Sequence, residues 1–433
     1  MKLFGSSGIR DVVNRGFLEL TYEVGLAAGN LYRSVIVGCD TRTSSDAVRY
    51  AFISGLLSAG SAASDAGVVT TPTLAYTSRK FEAGVMITAS HNPPEYNGIK
   101  LINPDGSAFH ASQREEIEGM LEAKSSEVAP WEAMKNCTAY PGAIDEHLER
   151  ILADFNPKLK LRVVVDCGGG TACSITPRLL ASLGCDVVTL HCEPAGHPPR
   201  ASEPTPENLE RLALMVKDTS ADLGIAHDGD ADRIAVIDDL GRFVPPDKLM
   251  ALLARDMGAK KIVTTADASM LIDEIGFEVI RTKVGDAFVS DELIKGGEFG
   301  GESSGCYIFP SISLCPDAIY AAATIARLAN ADKISTLVDQ IPSYPVLRGG
   351  IAGDRAVMAK LEERLRGEAA QLDTTDGLKV YFADGWLLVR PSGTEPKIRI
   401  TAEAKSEQRA RELYELGTKY IKECLKEQER AII

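Results

Sequence analysis

Residues 84–100 read Gly84-Val-Met-Ile-Thr-Ala-Ser-His-Asn-Pro-Pro-Glu-Tyr-Asn-Gly-Ile-Lys100. The apolar run Val85–Ile87 predicts a buried strand, and Asn92-Pro93-Pro94 forces the chain out of it into a turn. Ser90 therefore sits on a loop at a strand end, where open α/β sheets place their chemistry. A hydroxyl held there is suited to carrying a phosphoryl group. A serine that merely caps a turn accounts equally well for a lone Ser-x-Asn-Pro, so the rest of the chain has to decide.

Working outward, Tyr22–Arg33 is helix-like, Val35–Cys39 strand-like, Asp46–Ala59 helix-like, and Ala62–Val69 and Ala83–Thr88 strand-like. That alternation predicts βαβ units and a mainly parallel sheet. The order recurs from Leu161 to Ala226, and again from Asp247 to Leu328, without a repeat at the level of sequence. After Ser343-Tyr-Pro345 it changes to a helix, Ala356–Arg366, three strand-like runs at Leu378–Phe382, Trp386–Val389 and Ile398–Glu403, and an amphipathic helix from Glu407 to about Lys426. The expected fold is three related mixed-sheet α/β domains followed by a C-terminal α+β domain.

A chain of 433 residues accommodates three or four such domains. Its 45% apolar and 25% charged content suits compact soluble domains. The N-terminus has no apolar signal region and no stretch reaches membrane-span length, so the expected location is cytoplasmic, with no membrane partner. Nine scattered cysteines without a CxxC pair point to reduced core thiols. A net charge of −14 argues against nucleic acid but permits small anions at local Arg and Lys residues.

The most specific motif is Leu223-Gly-Ile-Ala-His-Asp-Gly-Asp-Ala-Asp-Arg-Ile-Ala-Val-Ile237. Asp228, Asp230 and Asp232 alternate between two apolar strands, a spacing that lets three carboxylates converge in a loop and favours Mg²⁺. An EF-hand is excluded, because its sixth position is Arg233 and its twelfth Asp239; a solvated acidic turn is the remaining alternative. In Leu388-Val-Arg-Pro-Ser-Gly-Thr-Glu-Pro-Lys-Ile-Arg399, Arg390, Ser392, Gly393, Thr394 and Arg399 suit a phosphate dianion, with a decorated hairpin as the plain alternative. Gly301-Glu-Ser-Ser-Gly305 offers Glu302 and Ser304 to adjacent sugar hydroxyls, and Arg10 in Phe4-Gly-Ser-Ser-Gly-Ile-Arg10 is placed to approach a phosphate. No GxxxxGK[ST] occurs, and Gly168-Gly-Gly170 lacks the GxGxxG spacing, so no nucleotide site is expected.

FGSSGIR, TASHNPPEYNGIK, DGDADR, GESSG and RPSGTEPKIR, in this order across the whole chain, resemble the α-D-phosphohexomutase family. The resemblance implies four domains around a central active-site cleft: 1–142 with the phosphoserine loop, 143–243 with the metal loop, 244–343 with the sugar loop and 344–433 with the phosphate loop. It implies Ser90 as phosphoserine, and one Mg²⁺ held by Asp228, Asp230, Asp232 and the phosphate on Ser90. Glu302 and Ser304 would contact the sugar, with Asp286 and Arg233 also binding substrate. Arg390, Ser392, Gly393, Thr394 and Arg399 would grip the phosphate that is not reacting. Lys100 matches the family's proton-transfer lysine, and as a base it would need a lowered pKa that nearby carboxylates oppose. His91 and Arg10 match positions that stabilise the phosphoryl group. Cys306 and Asp286 stand where other members carry histidine, which excludes a histidine base at either place.

The implied activity is interconversion of a hexose 1-phosphate and 6-phosphate through a hexose 1,6-bisphosphate, by an isomerase of the intramolecular phosphotransferase type. Glu302-Ser303-Ser304 leans toward mannose or glucose as the sugar, with phosphoglucosamine mutase as the alternative. A non-catalytic phosphosugar-binding regulator and a phosphatase are the readings from other classes. The partners expected are small phosphosugars, and the chain is a monomer or homodimer.

Overall fold

The computed structural model describes residues 3–5, 8–155, 158–368, 371–391 and 397–432, with side chains described as far as 428. Its first sheet has six strands, β1 (Ile9–Val12), β2 (Ser34–Cys39), β3 (Ala62–Val68), β4 (Ala83–Ile87), β5 (Tyr96–Ile102) and β6 (Cys137–Ala139), in the order β1-β5-β4-β2-β3-β6. β4, β2, β3 and β6 run parallel to one another, because helices such as Ser45–Ser58 and Thr71–Ser78 make the crossovers. The loop 88–95 is too short for a crossover, so β5 returns antiparallel to β4 and β1 pairs antiparallel with β5. The sheet is thus mixed, as expected, with its parallel pairings on the side that the helix–strand alternation builds.

The second sheet comprises β7 (Arg162–Asp166), β8 (Asp186–Leu190), β9 (Leu223–His227) and β10 (Ile234–Ile237), ordered β10-β9-β7-β8. The third comprises β11 (Lys261–Thr265), β12 (Glu278–Thr282), β13 (Phe299–Gly301) and β14 (Tyr307–Ile308), ordered β12-β11-β13-β14. Each ends on one antiparallel edge strand, β10 against β9 and β14 against β13. The last sheet is wholly antiparallel: β15 (Val346–Ala352), β16 (Gln371–Asp373), β17 (Leu378–Phe382), β18 (Gly385–Pro391) and β19 (Lys397–Ala404), ordered β15-β19-β18-β17-β16 and covered by the helix Glu407–Ile432. It holds five strands where three were expected.

One rule runs through the four sheets. The Ser90 loop joins β4 to β5, the aspartate loop β9 to β10, the Glu302 loop β13 to β14, and the Arg390 segment leads from β18 toward β19, so every candidate loop connects an antiparallel pair. The second and third domains share a single core in which Val163, Ile225, Ile262, Phe299 and Ile319 pack together. Burying each such side chain is worth ~1.5–3 kcal/mol, so their two loops are fixed relative to each other. The first and last domains have cores of their own, around Val37, Phe52 and Val85 and around Leu387, Ile400 and Leu413.

Buried polar contacts cross between domains. His147, fully buried, has Nδ1 3.0 Å from Thr73 Oγ1 and Nε2 3.0 Å from Asp317 Oδ2. Glu403 accepts from Ser269 Oγ, from the Met270 amide at 2.7 Å and from Trp386 Nε1 at 2.7 Å. All nine cysteines are free thiols, and among the described residues no helix is long and apolar enough to cross a membrane.

Candidate active site

Ser90 is buried and adopts φ +53°, a left-handed conformation that costs a non-glycine residue ~1–3 kcal/mol and persists where the surroundings impose it. Its amide donates to Thr88 Oγ1 at 2.9 Å, and its hydroxyl donates to Asp228 Oδ2 at 2.8 Å, joining the first domain's loop to the second's. His91 Nδ1 lies 3.3 Å from the same hydroxyl. Burial, with the Arg233 and Arg10 charges, pushes the His91 pKa down to about 3, so the ring is neutral at physiological pH. Arg10, on β1, donates to Asn92 Oδ1 at 3.0 Å and so reaches the same loop.

The three aspartates converge as their spacing predicts: one carboxylate oxygen from each lies within 4.8 Å of the others, and all three residues are buried. Ala231, at φ +58°, turns the chain between the second and third. Lys100 Nζ donates to Asp230 Oδ2 and to Asp232 Oδ2, both at 2.7 Å. Burial raises the pKa of Asp228, and Asp232 and Asp230 raise it further. For Asp230 burial acts in the same direction, but Lys100 overrides it and holds the acid below its ordinary range. Burial likewise works against the Lys100 charge, and Asp230 and Asp232 outweigh it, leaving that pKa raised. The lowered pKa that a lysine base needs is therefore absent in this arrangement.

Asp230 Oδ1 and Asp232 Oδ1 are buried with no hydrogen-bond partner among the described residues. Two orphaned carboxylate oxygens beside a third carboxylate and the Ser90 hydroxyl form a hard, oxygen-only donor set, which fits a small divalent cation. Thr71, unnoticed in the sequence, completes the support: its hydroxyl donates to Asp230 Oδ2 at 2.5 Å and its amide to the Asp230 carbonyl at 2.9 Å.

The Glu302 loop abuts the aspartate loop. The Ile234 amide donates to the Gly305 carbonyl at 3.1 Å, and a Cβ at Gly305 would stand 2.4 Å from the Ile234 carbonyl oxygen. Glu302 is buried and accepts from the Gly285 amide at 3.2 Å; burial, then Asp286 and Asp267, push its carboxyl up to about 8. Ser303 is spent on Asp247, at 2.8 Å, whereas Ser304 Oγ is buried without a partner among the described residues. Asp286 and Lys100 line one small cavity, with Thr71 in its wall. Arg233 donates to Glu203 Oε1 at 3.0 Å, and its amide to Asp228 Oδ1 at 3.2 Å.

Arg390 and Arg399 are directly paired across β18 and β19, which puts both side chains on one face of the sheet. Arg390 Nη1 donates to Asp376 Oδ2 at 3.3 Å, and that oxygen also accepts from the Val284 amide at 3.1 Å. This bridge brings the last domain to the Gly285–Asp286 turn beside Glu302. Ser392, Gly393 and Thr394 lie outside the described residues.

Comparison with known proteins resolves the lineage. Profiles described as phosphoglucomutase/phosphomannomutase alpha/beta/alpha domains I, II and III match residues 1–128, 144–241 and 245–344, and that of the C-terminal domain matches 350–415. The chain belongs to the α-D-phosphohexomutase family. As a phosphohexomutase it is an isomerase that acts as an intramolecular phosphotransferase. A probable phosphoglucosamine mutase of Methanocella arvoryzae is 46% identical, over 98% of this chain and 99% of that protein. The phosphoglucosamine mutase of Methanocaldococcus jannaschii is 40% identical over 98% and 99%. Among solved structures, a phosphoglucomutase/phosphomannomutase family protein of Burkholderia thailandensis superposes with a TM-score of 0.86 at 26% identity, covering 98% of this chain and 97% of the other.

Proposed function

We propose that this phosphohexomutase interconverts glucosamine 6-phosphate and glucosamine 1-phosphate, using phospho-Ser90 and a bisphosphorylated sugar intermediate. The observation that carries the chemistry is the 2.8 Å contact between the Ser90 hydroxyl and Asp228, inside a three-carboxylate cluster. The leaning of Glu302-Ser303-Ser304 toward mannose or glucose gives way to the alternative, because relatives at 40–46% identity bear the name phosphoglucosamine mutase. The charge around the sugar loop supports the same choice. Burial, then the charges of Asp286 and Asp267, raise the proton affinity of Glu302, and a 2-ammonium group relieves that repulsion where a 2-hydroxyl cannot.

Asp228, Asp230, Asp232 and the phosphate on Ser90 would hold Mg²⁺. When bound, the ion supplies charge neutralisation to the reacting phosphoryl group. The chain's own residues do the positioning, which is most of what phosphoryl transfer requires. The Ser90–phosphorus bond breaks as a sugar hydroxyl oxygen bonds to phosphorus, and the proton that this hydroxyl gives up is balanced by the one that the freed Ser90 oxygen takes up. Lys100 holds Asp230 and Asp232 in place, while neutral His91 presents a ring nitrogen beside the serine oxygen. Glu302 and Ser304 bind the sugar, and Arg390 and Arg399 with the 392–394 segment anchor the distal phosphate. The bisphosphate then turns around, for which opening of the last domain gives room, and its other phosphoryl group returns to Ser90.

The test is isomerisation of glucosamine, glucose and mannose 1-phosphates side by side, with Mg²⁺ and a trace of hexose 1,6-bisphosphate. The expected result is a kcat/KM for the aminosugar higher by about tenfold or more. Higher values for glucose or mannose would overturn the choice of sugar. Steady release of inorganic phosphate without an isomer would make the protein a phosphatase, and no turnover on phosphorylated protein a binding regulator.

A further inference from the structure

Arg42 lies in the loop between β2 and the helix Ser45–Ser58, and its side chain is 8% exposed. Its guanidinium spends every N–H it has. Nη2 donates to the Ser90 carbonyl at 2.8 Å and the Asn92 carbonyl at 2.7 Å; Nη1 donates to the Pro93 carbonyl at 2.7 Å and the Tyr96 carbonyl at 3.1 Å. Nε donates to Asp40 Oδ2 at 3.0 Å.

The sequence explains why the loop needs an outside donor. Pro93 and Pro94 have no amide hydrogen, so the turn that carries Ser90 has more carbonyls than its own N–H groups can serve. Asp40, itself buried, holds the other end of the arrangement. It accepts from the Arg42 amide at 3.0 Å, from Ser45 Oγ at 2.5 Å and from Thr88 Oγ1 at 2.7 Å, and Thr88 Oγ1 in turn accepts from the Ser90 amide. The carbonyl of Ser90 is therefore held by Arg42 and its amide by Thr88, both backed by one carboxylate. The hydroxyl alone is left to face Asp228.

We infer that Asp40, Arg42 and Thr88 form a clamp that fixes the backbone of Ser90 in its left-handed conformation, with Arg42 as a positioning residue for phosphoryl transfer. Arg42 has no N–H left for substrate, so its effect is on the geometry of the serine and not on sugar binding. The inference rests on the reading that Ser90 carries the phosphoryl group.

The test compares Arg42→Lys, Arg42→Ala and Thr88→Val with the parent enzyme. Three quantities are read: phosphoryl loading of Ser90 by peptide mass after incubation with hexose 1,6-bisphosphate, the single-turnover rate of transfer to glucosamine 6-phosphate, and kcat and KM separately. An ammonium is a point donor that cannot span four carbonyls, so Arg42→Lys is expected to lose on the order of 100-fold in transfer rate and kcat, with KM within about threefold. Ethylguanidinium, and not ethylammonium, is expected to restore part of the rate to Arg42→Ala. Thr88→Val keeps Arg42 and loses the amide acceptor, and is expected to fall in kcat in the same sense. Transfer rates within about threefold of the parent in folded Arg42→Lys would overturn the clamp, as would a loss confined to KM. If neither Arg42 variant folds, a parent-like kcat in Thr88→Val would overturn it. Failure of the parent itself to take up phosphate on Ser90 would instead overturn the Ser90 reading.

Discussion

Lys379, on β17 of the last domain, is 1% exposed, donates from Nζ to the Ala266 carbonyl of the third domain at 2.6 Å, and sits 4.1 Å from the centre of the Trp386 ring. Burial, aided by the Arg281 charge, lowers its pKa to about 7, against ~10.4 in an unfolded chain. Between those values the unfolded state binds more protons, so stability rises with pH through the window; below pH 7 both states hold the proton and the penalty is constant. Integrated from pH 7 to pH 9 the difference is roughly 2 kcal/mol, and attraction of the ammonium to Trp386, which favours the charged form, trims it toward ~1–2 kcal/mol. Lys379→Met removes the titration while keeping the bulk. The chain has two tryptophans, and Trp131 is 80% exposed, so in a Trp131→Phe background Trp386 emission follows urea unfolding of the last domain alone. The stability of Lys379→Met relative to the parent is expected to fall by ~1–2 kcal/mol between pH 7 and pH 9, because the parent gains and the variant does not. A relative stability constant with pH to within ~0.3 kcal/mol would refute a buried, neutralisable lysine at this junction.

The other predictions concern the site. Thr71→Val removes the hydroxyl that orients Asp230 and is expected to raise the Mg²⁺ concentration for half-activation by about tenfold or more; an unchanged Mg²⁺ titration would count against that role. Asp230→Asn is expected to lose most activity together with its Mg²⁺ dependence, and retention of that dependence would argue against the three-carboxylate site. Glu302→Gln replaces a carboxyl held up to about 8, which a 2-ammonium group would ionise, by an amide that cannot ionise, and is expected to narrow the proposed preference for glucosamine over glucose phosphate by about tenfold, whereas an unaltered ratio of kcat/KM would remove the electrostatic basis for choosing the aminosugar.

How much of this was legible in the sequence depends on where each signal lies. The Ser90 loop and the three aspartates stand out because local rules mark them: an apolar run stopped by Asn-Pro-Pro, and carboxylates at alternate positions between apolar strands. β5, the strand that carries Lys100 away from the Ser90 loop, is only weakly marked, because Asn97, Gly98 and Lys100 interrupt its apolar character. They are buried all the same, since Asn97 Nδ2 donates to Ser44 Oγ at 3.0 Å and Lys100 pairs with two aspartates of another domain. β15 was hidden by Gly349 and Gly350. A Cβ at Gly349 would lie 2.0 Å from the Tyr414 hydroxyl, so close packing and not a turn explains that glycine. Thr71 and Arg42 carried no local mark at all. Thr71 meets Asp230 159 positions away, and Arg42 meets Ser90 48 positions away, and both are typical of a helix start or a polar loop until the fold joins them. The choice of sugar is the least legible feature, because Glu302 and Ser304 suit any hexose and the charge on which the proposed aminosugar preference rests comes from Asp286 and Asp267 on other segments.

The account turns on Ser90 as the phosphoryl carrier, and peptide mass mapping of the protein after incubation with hexose 1,6-bisphosphate tests it most directly. The prediction is one phosphoryl group on Ser90 that is lost when glucosamine 6-phosphate is added, as a sugar bisphosphate appears, with folded Ser90→Ala taking up none and turning over none. A phosphoryl group mapped to another residue, or near-normal turnover by folded Ser90→Ala, would contradict it.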